Sequence, residues 1–205
     1  MKKIINFSLI IIISIAFLSC GKEKKQEEKT VNEVSYSVDA ENSKVQWTGY
    51  KTTDKIAVNG TFKEIIINQM NSGSTAPASI EGLEFEIPVS SIYSKDTIRD
   101  GKLKRLFFGV MENTIHLKGK FSIKDTSSGN IALSMNGLTK DLPFTYEMSK
   151  DTILINAKMD LNIWETQNAL ASIHQACLEL HTGPDGVSKT WDEVGIAAKI
   201  LTVKK

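Results

Sequence analysis

The chain of 205 residues carries 25 Lys and Arg against 24 Asp and Glu, and 41% of its residues are hydrophobic. This near-neutral balance, with Arg99 and Arg105 as the only arginines, excludes a surface that recruits nucleic acid by charge, because arginine is favoured where phosphate is held. The length is sufficient to enclose one apolar core, so we expect one domain behind the terminal segments.

The N-terminus has the form of an export signal. Met1, Lys2 and Lys3 provide a charged start, and residues 4–18 form an apolar run. The run is short for a membrane-spanning helix, which needs roughly 20 apolar residues. We therefore predict that residues 1–19 are a signal peptide.

Cys20 is the predicted site of lipidation. Ser19 before it and Gly21 after it resemble a lipoprotein cleavage box, although Phe17 stands where Leu is usual and Leu18 where a small residue is usual. Acyl chains on Cys20 would anchor the protein to a membrane without spanning it. An ordinary secretory signal is the alternative.

The segment that follows is a predicted tether. Residues 20–35 have mixed charge and almost nothing to bury, so they cannot offset the entropy of ordering. We expect the protein in a bacterial cell envelope, lipid-anchored to the inner or the outer membrane, with the periplasmic or surface side left open. With Cys20 acylated, Cys177 has no partner for an internal disulfide.

The folded part opens with segments that alternate between apolar and polar residues, as β-strands do. Val45 and Trp47 share one face, and residues 57–67 continue extended, with a turn or bulge at Asn59 and Gly60. A loop over residues 68–79 precedes another strand. Its predicted inward residues are Leu83, Phe85, Ile87 and Val89, and Pro88 marks its end.

Next come a short helix and a regular strand. The spacing of apolar residues predicts a helix near residues 97–108, with Asp96 or Thr97 as N-cap. Strict alternation over residues 114–124 predicts a strand. Its inward face is expected to hold Ile115, Leu117, Gly119, Phe121 and Ile123, and its outward face Thr114, His116, Lys118, Lys120, Ser122 and Lys124.

Further alternating segments follow, separated by turns. They end with residues 193–203, which are apolar on both faces. Short strands with a turn about every 8 to 12 residues are typical of an all-β sandwich or barrel. We count about eight strands, a number whose barrel interior holds side chains or one small ligand.

Four short segments resemble the YceI-like, polyisoprenoid-binding family. They are residues 36–39 with Ser43, residues 60–62, residues 97–103 with Phe107 and Phe108, and residues 136–140 ahead of Pro143. The resemblance implies a lipocalin-like antiparallel β-barrel over residues 36–205, exported to the envelope. It also implies a long apolar ligand, an isoprenoid or another lipid, inside the barrel.

A ligand-binding function without a catalytic centre is therefore expected. The sequence has no Gly-x-Ser-x-Gly elbow, no His-Glu-x-x-His and no phosphate-cradling Gly-rich loop. The residues expected to line the barrel include Trp47, Phe85, Ile87, Leu117, Phe121, Phe144, Tyr146, Ile155 and Met159. A structural or interaction barrel without ligand is one alternative, and the oligomeric state is left open, a homodimer included.

Residues 164–191 depart from the family pattern. They lack strand alternation, and a stripe of Leu170, Ile173, Cys177 and Leu180 predicts a helix near residues 166–181. We expect this segment to hold whatever is particular to this chain.

His174, Cys177 and His181 form a candidate metal site in this segment. Spacings of three and four bring them to one side of a helix, and His and Cys are ligands of zinc or copper. The alternative is that Cys177 belongs to the apolar stripe and both histidines lie at its solvated margin.

Arg99 and Asp100 form a second candidate site. The pair could hold the head group of a ligand. Alternatively, it is a local ion pair that closes the helix over the barrel.

Overall fold

The computed structural model describes residues 34–68 and 71–205. The predicted signal peptide, Cys20 and nearly all of the tether lie outside the described residues. Within these residues, no helix combines the length and apolarity needed to cross a bilayer.

The described residues form eleven antiparallel strands in a single sheet. The strands are β1 (Tyr36–Lys51), β2 (Ile56–Phe62), β3 (Ile66–Ile67), β4 (Ser72–Gly73), β5 (Glu84–Pro88), β6 (Ile92–Tyr93), β7 (His116–Ile123), β8 (Ser128–Met135), β9 (Leu138–Ser149), β10 (Thr152–Asp160) and β11 (Glu193–Lys204). Their order across the sheet is β3-β5-β7-β8-β9-β10-β11-β1-β2-β6, and β4 pairs with the start of β1.

The two ends of this sheet meet. After β2 the chain continues into β3, and after β5 it continues into β6; β2 pairs with β6 while β3 pairs with β5. A backbone bond from Lys63 N to Ser91 O, 2.9 Å long, bridges the interval. Counting β2 with β3 and β5 with β6 as single bent strands gives eight positions around the barrel. The predicted all-β, lipocalin-like fold of about eight strands is confirmed.

The described residues also contain three short α-helices: α1 (Thr97–Lys102), α2 (Gln167–Gln175) and α3 (Leu178–His181). A π-helical turn (Leu103–Phe107) and a 3-10 turn (Phe108–Val110) extend α1, so the helix predicted near residues 97–108 is present. Asp96 is its N-cap, with Oδ1 accepting bonds from the backbone N–H groups of Ile98 and Arg99 at 3.0 Å. The second predicted helix is interrupted after Gln175.

Within β7, the inward and outward residues are those that the alternation of the sequence predicts. Leu117, Gly119 and Phe121 are buried, as predicted. The prediction was wrong for the two residues before the strand, because Ile115 is 79% exposed and Thr114 is buried. The Thr114 hydroxyl donates to Glu112 O and accepts from the backbone N–H of Asn136, which holds this side chain inward.

Two apolar residues at the ends of alternating segments, where the spacing predicts an inward side chain, are exposed. Met148 lies near the end of β9, and Ile163 lies beyond β10 in a 3-10 turn (Leu161–Trp164). The alternation of side chains applies only while the backbone stays extended. The turn therefore carries Ile163 away from the core.

Candidate functional site

An internal cavity of about 290 Å³ lies at one end of the barrel. Its strand residues come from the ends of β1, β8 and β10, from the starts of β7 and β11, and from β2 and β6. The named ends and starts coincide because neighbouring strands are antiparallel. The aliphatic, methionine, phenylalanine and tryptophan side chains that the strands contribute to the wall are Trp47, Val58, Phe62, Ile92, Leu117, Met135, Met159, Val194 and Ile196. The cavity is therefore enclosed mainly by apolar side chains.

The opposite end of the barrel is filled. Phe85, Phe121, Phe144 and Tyr146 form a continuous series of ring contacts, with centroids 5.2, 5.8 and 6.1 Å apart. The hydroxyl of Tyr146 donates to Asp125 O at 2.8 Å. This aromatic layer, Phe85 to Tyr146, separates the cavity from the far end.

Two glycines allow the aromatic layer to lie flat against the sheet. Gly119 is the cross-strand partner of Phe85, and Gly129 is the partner of Phe144. A Cβ atom at Gly119 would come within 2.2 Å of the Phe85 ring, and one at Gly129 within 2.4 Å of the Phe144 ring. Each ring occupies the space that a side chain on the neighbouring strand would need.

Three of the nine residues expected to line the barrel contact the cavity: Trp47, Leu117 and Met159. The other six belong to the packed interior: Phe85, Ile87, Phe121, Phe144, Tyr146 and Ile155. Alternation indicates which face a side chain takes but carries no information on its height along the barrel axis. That height decides whether an inward residue meets the cavity or the filled end.

The mouth of the cavity lies between α1 and the segment that contains α2 and α3. Ile98 on α1 and Leu180 on α3 both contact the cavity, yet they are 73% and 60% exposed. Lys51, Lys102 and His181 also contact the cavity at this opening. We call these five residues the mouth.

The predicted apolar stripe of residues 164–191 faces the cavity. Leu170, Ile173, Cys177 and Leu180 all contact it, even though the helix is broken between α2 and α3. The segment that departs from the family pattern therefore forms one side of the entrance.

Tryptophan side chains fix both ends of this segment to the barrel. Trp164 is fully buried, and its Nε1 donates to Leu133 O at 2.9 Å. Trp191 donates through Nε1 to Thr52 O at 2.8 Å and also contacts the cavity. The amide of Asn136 adds a bond to Trp164 O at 2.8 Å. These bonds hold the entrance against the barrel rim.

Arg99 and Asp100 do not pair with each other. The Arg99 guanidinium lies 3.3 Å from Oδ2 of Asp96, whereas Oδ1 of Asp100 accepts bonds from the Ser94 backbone N–H at 2.8 Å and from the Ser94 hydroxyl at 2.6 Å. Adjacent residues on a helix point in different directions, so the expected local ion pair between them is wrong. Arg99 contacts the cavity, while the buried Asp100 secures α1 to the segment before it.

The three candidate metal ligands have other partners. The Nδ1 atoms of His174 and His181 lie 3.0 and 2.6 Å from the Thr190 hydroxyl, and Cys177 Sγ lies 3.7 Å from Lys102 Nζ. In the part of the chain that the structure describes, no three His, Cys, Asp or Glu side chains are placed to hold a metal ion. The break between α2 and α3 removes the continuous helix on which the predicted site depended.

The environment of His181 disfavours its charged form. Burial, followed by the positive charge of Lys51 and smaller effects of His174 and Lys102, lowers the pKa of His181 to about 4. The imidazole is thus neutral near pH 7. It can share the Thr190 hydroxyl with His174 without carrying charge.

Two solved structures have the same fold over most of the chain. A polyisoprenoid binding domain from Saccharophagus degradans, implicated in plant cell wall breakdown, is 11% identical with a TM-score of 0.59, covering 83% of this chain and 98% of its own. BcnA of Burkholderia cenocepacia is 14% identical with a TM-score of 0.51, covering 81% and 99%. At these identities the likeness concerns the fold alone.

Sequence comparison identifies the family. No curated protein matches the chain. The sequence model described as a YceI-like domain matches residues 36–200, which include both sides of the mouth and all of the barrel except the last residues of β11. The chain therefore belongs to the YceI-like family.

Proposed function

We propose that the protein binds the apolar chain of an isoprenoid or another lipid in the cavity and carries or sequesters it in the bacterial envelope. The observation that carries the proposal is the apolar-walled space of about 290 Å³, which is open at the mouth in a barrel whose other end is filled by aromatic rings. A barrel closed by its own side chains throughout would have no room for a ligand.

The size and shape of the cavity favour a single chain. Ligand pockets usually measure about 300 to 1,000 Å³, so this cavity is at the lower end of that range. The aromatic layer prevents a ligand from passing through the barrel. A long chain would enter by one end and extend beyond Ile98 and Leu180, which are exposed at the mouth.

Membership of the YceI-like family supports a binding function. The related fold from Saccharophagus degradans is described as a polyisoprenoid binding domain. For this chain, the proposal rests on the cavity and on the apolar character of its wall. No catalytic step is part of it.

A cavity-filling substitution tests the proposal. Val58 contacts the cavity, whereas its neighbour Ala57 is exposed on the other face of β2. Val58→Trp should weaken the binding of a fluorescent fatty-chain probe by about tenfold or more, since the indole would occupy ligand space. Ala57→Trp is the matched control and should bind as the wild type does. Equal probe binding by both variants, with both folded by circular dichroism, would reject the cavity as the binding site.

We also propose that acylated Cys20 anchors the protein to the envelope. The support is the sequence around Cys20 and the mixed-charge segment after it. The barrel begins with β1, whose first residue, Tyr36, lies at the end away from the mouth. Metabolic labelling with a fatty-acid analogue should label the wild type but not Cys20→Ala. Labelling of both would exclude this anchor.

A further inference from the structure

Two lysines carry positive charge into the mouth of the apolar cavity. Lys51 follows Trp47 and Gly49 on the inward face of β1, and Lys102 ends α1 on the opposite side of the opening. Both side chains are half-buried. Nζ of Lys51 donates to Leu180 O at 3.1 Å, and Nζ of Lys102 donates to Ala176 O at 2.7 Å.

Neither ammonium group is neutralised by a carboxylate in the described residues. Ion pairs within 4.0 Å occur elsewhere, at Lys55, Lys118, Lys120 and Lys158, but not at Lys51 or Lys102. Asp96, the acidic residue that contacts the cavity, is already paired with Arg99. Lys51 and Lys102 thus have no carboxylate within 4.0 Å, although the more distant Asp96 carboxylate also interacts electrostatically with Lys102.

These charges also affect the neighbouring histidine. After burial, Lys51 is the largest cause that lowers the pKa of His181, and Lys102 contributes as well. Because His181 is neutral near pH 7, it neither adds to the positive charge nor offsets it. An anion at this position would approach two ammonium groups that have no carboxylate partner within 4.0 Å in the described residues.

A charged group that is partly removed from water gains most from a partner of opposite charge. The carbonyl groups of Leu180 and Ala176, together with the 3.7 Å contact from Lys102 Nζ to Cys177 Sγ, use only part of the three donors of each ammonium. We propose that Lys51 and Lys102 bind the anionic head group of the ligand, a carboxylate or a phosphate, while its apolar chain fills the cavity. This inference rests on the proposed function and defines the ligand as a single-chain anionic amphiphile.

The test compares three ligands with the same chain on the full-length protein: oleic acid, oleyl phosphate and oleyl alcohol. Calorimetric titration of the wild type should show the acid, the phosphate or both binding about tenfold or more tightly than the alcohol. The acid and phosphate arms identify which head group is preferred. An alcohol that binds as tightly as both anions overturns the inference while leaving the apolar cavity in place.

Substitution of the lysines provides the second measurement. In the double variant Lys51→Gln/Lys102→Gln, the anion should bind only about one to three times as tightly as the alcohol. Lys199→Gln, on an exposed position of β11, is the matched control and should keep the wild-type ratio. A double variant that retains the full preference contradicts the assignment. If none of the three ligands binds the wild type, the proposed function itself fails together with this inference.

A third readout needs no substitution. A bound anion beside Lys51 would offset the positive charge that disfavours protonation of His181, so its pKa should rise when oleic acid is added. Oleyl alcohol should not raise it. An unchanged pKa at saturation with the acid would place the head group away from the lysines.

Discussion

Trp47 and Gly60 face each other directly across the β1–β2 ladder, and the indole occupies the space above the glycine. A Cβ atom at Gly60 would lie 2.2 Å from the Trp47 ring, well inside van der Waals contact. Trp47 is also part of the cavity wall, and its buried Nε1 has no hydrogen-bond partner among the described residues. The shape of this wall therefore depends on the absence of a side chain at residue 60.

Gly60→Ala should displace the indole and destabilise the protein by about 1 to 3 kcal/mol, the usual cost of overpacking. Chemical denaturation measures the loss. Gly195→Ala is the matched control in β11, where a Cβ atom would meet nothing closer than 3.6 Å. Gly60→Ala combined with Trp47→Leu should recover part of the loss because the two positions share one space. A Gly60→Ala protein as stable as Gly195→Ala would contradict this account of the wall.

Asp100→Ala should loosen α1 from the barrel. It removes the carboxylate that accepts both Ser94 bonds and leaves those donors buried, at a cost of about 1 to 3 kcal/mol. Asp141→Ala, at an exposed position of β9, should change the free energy of unfolding by about 0.5 kcal/mol or less. Equal stability of the two variants would show that the Ser94 bonds do not secure α1.

His181 should make stability depend on pH between about 6.5 and 4. Its pKa in the folded protein is about 4, below the ordinary histidine value of 6.5, so the unfolded chain binds the proton first as the pH falls. The stabilisation is complete above pH 6.5 and is lost on acidification toward pH 4. For this half-buried group we expect a loss on the order of 1 to 2 kcal/mol, reduced by solvent screening.

Denaturation of wild type and His181→Asn at pH 7 and pH 4.5 measures this effect. The variant should lose less stability over the interval, because it lacks the titrating ring. Nuclear magnetic resonance titration of the folded wild type should place the transition of this ring near pH 4. A transition near 6.5 would mean that burial and Lys51 do not act on it as described.

The strands and their inward faces could be predicted because alternation and turn residues are local features of the sequence. β8 illustrates this, since Ile131, Leu133 and Met135 are all buried as their spacing indicates. The prediction fails at Ile163, where the backbone leaves the extended form, and at Thr114, where side-chain bonds decide the orientation. Thr114 faces inward because of its bonds to Glu112 and Asn136, and these partners are not apparent from alternation.

Fewer of the residues in the candidate site could be predicted from the sequence. The stripe from Leu170 to Leu180 correctly indicated an apolar face, and the structure shows that this face covers the cavity. Lys51 gave no sequence signal as a mouth residue, because its role depends on where β1 ends relative to α3. The histidines at 174 and 181 are brought close together, but around Thr190, a residue whose position in space the spacing could not reveal.

Native mass spectrometry of the protein purified under mild conditions tests the central claim most directly. The wild type should carry a bound lipid of defined mass, and Val58→Trp should lose it while Ala57→Trp keeps it. Solvent extraction of the wild type should release the same mass. A lipid retained equally by Val58→Trp, or a wild type that neither carries nor takes up a single-chain lipid, would contradict the account of the cavity as a ligand-binding site.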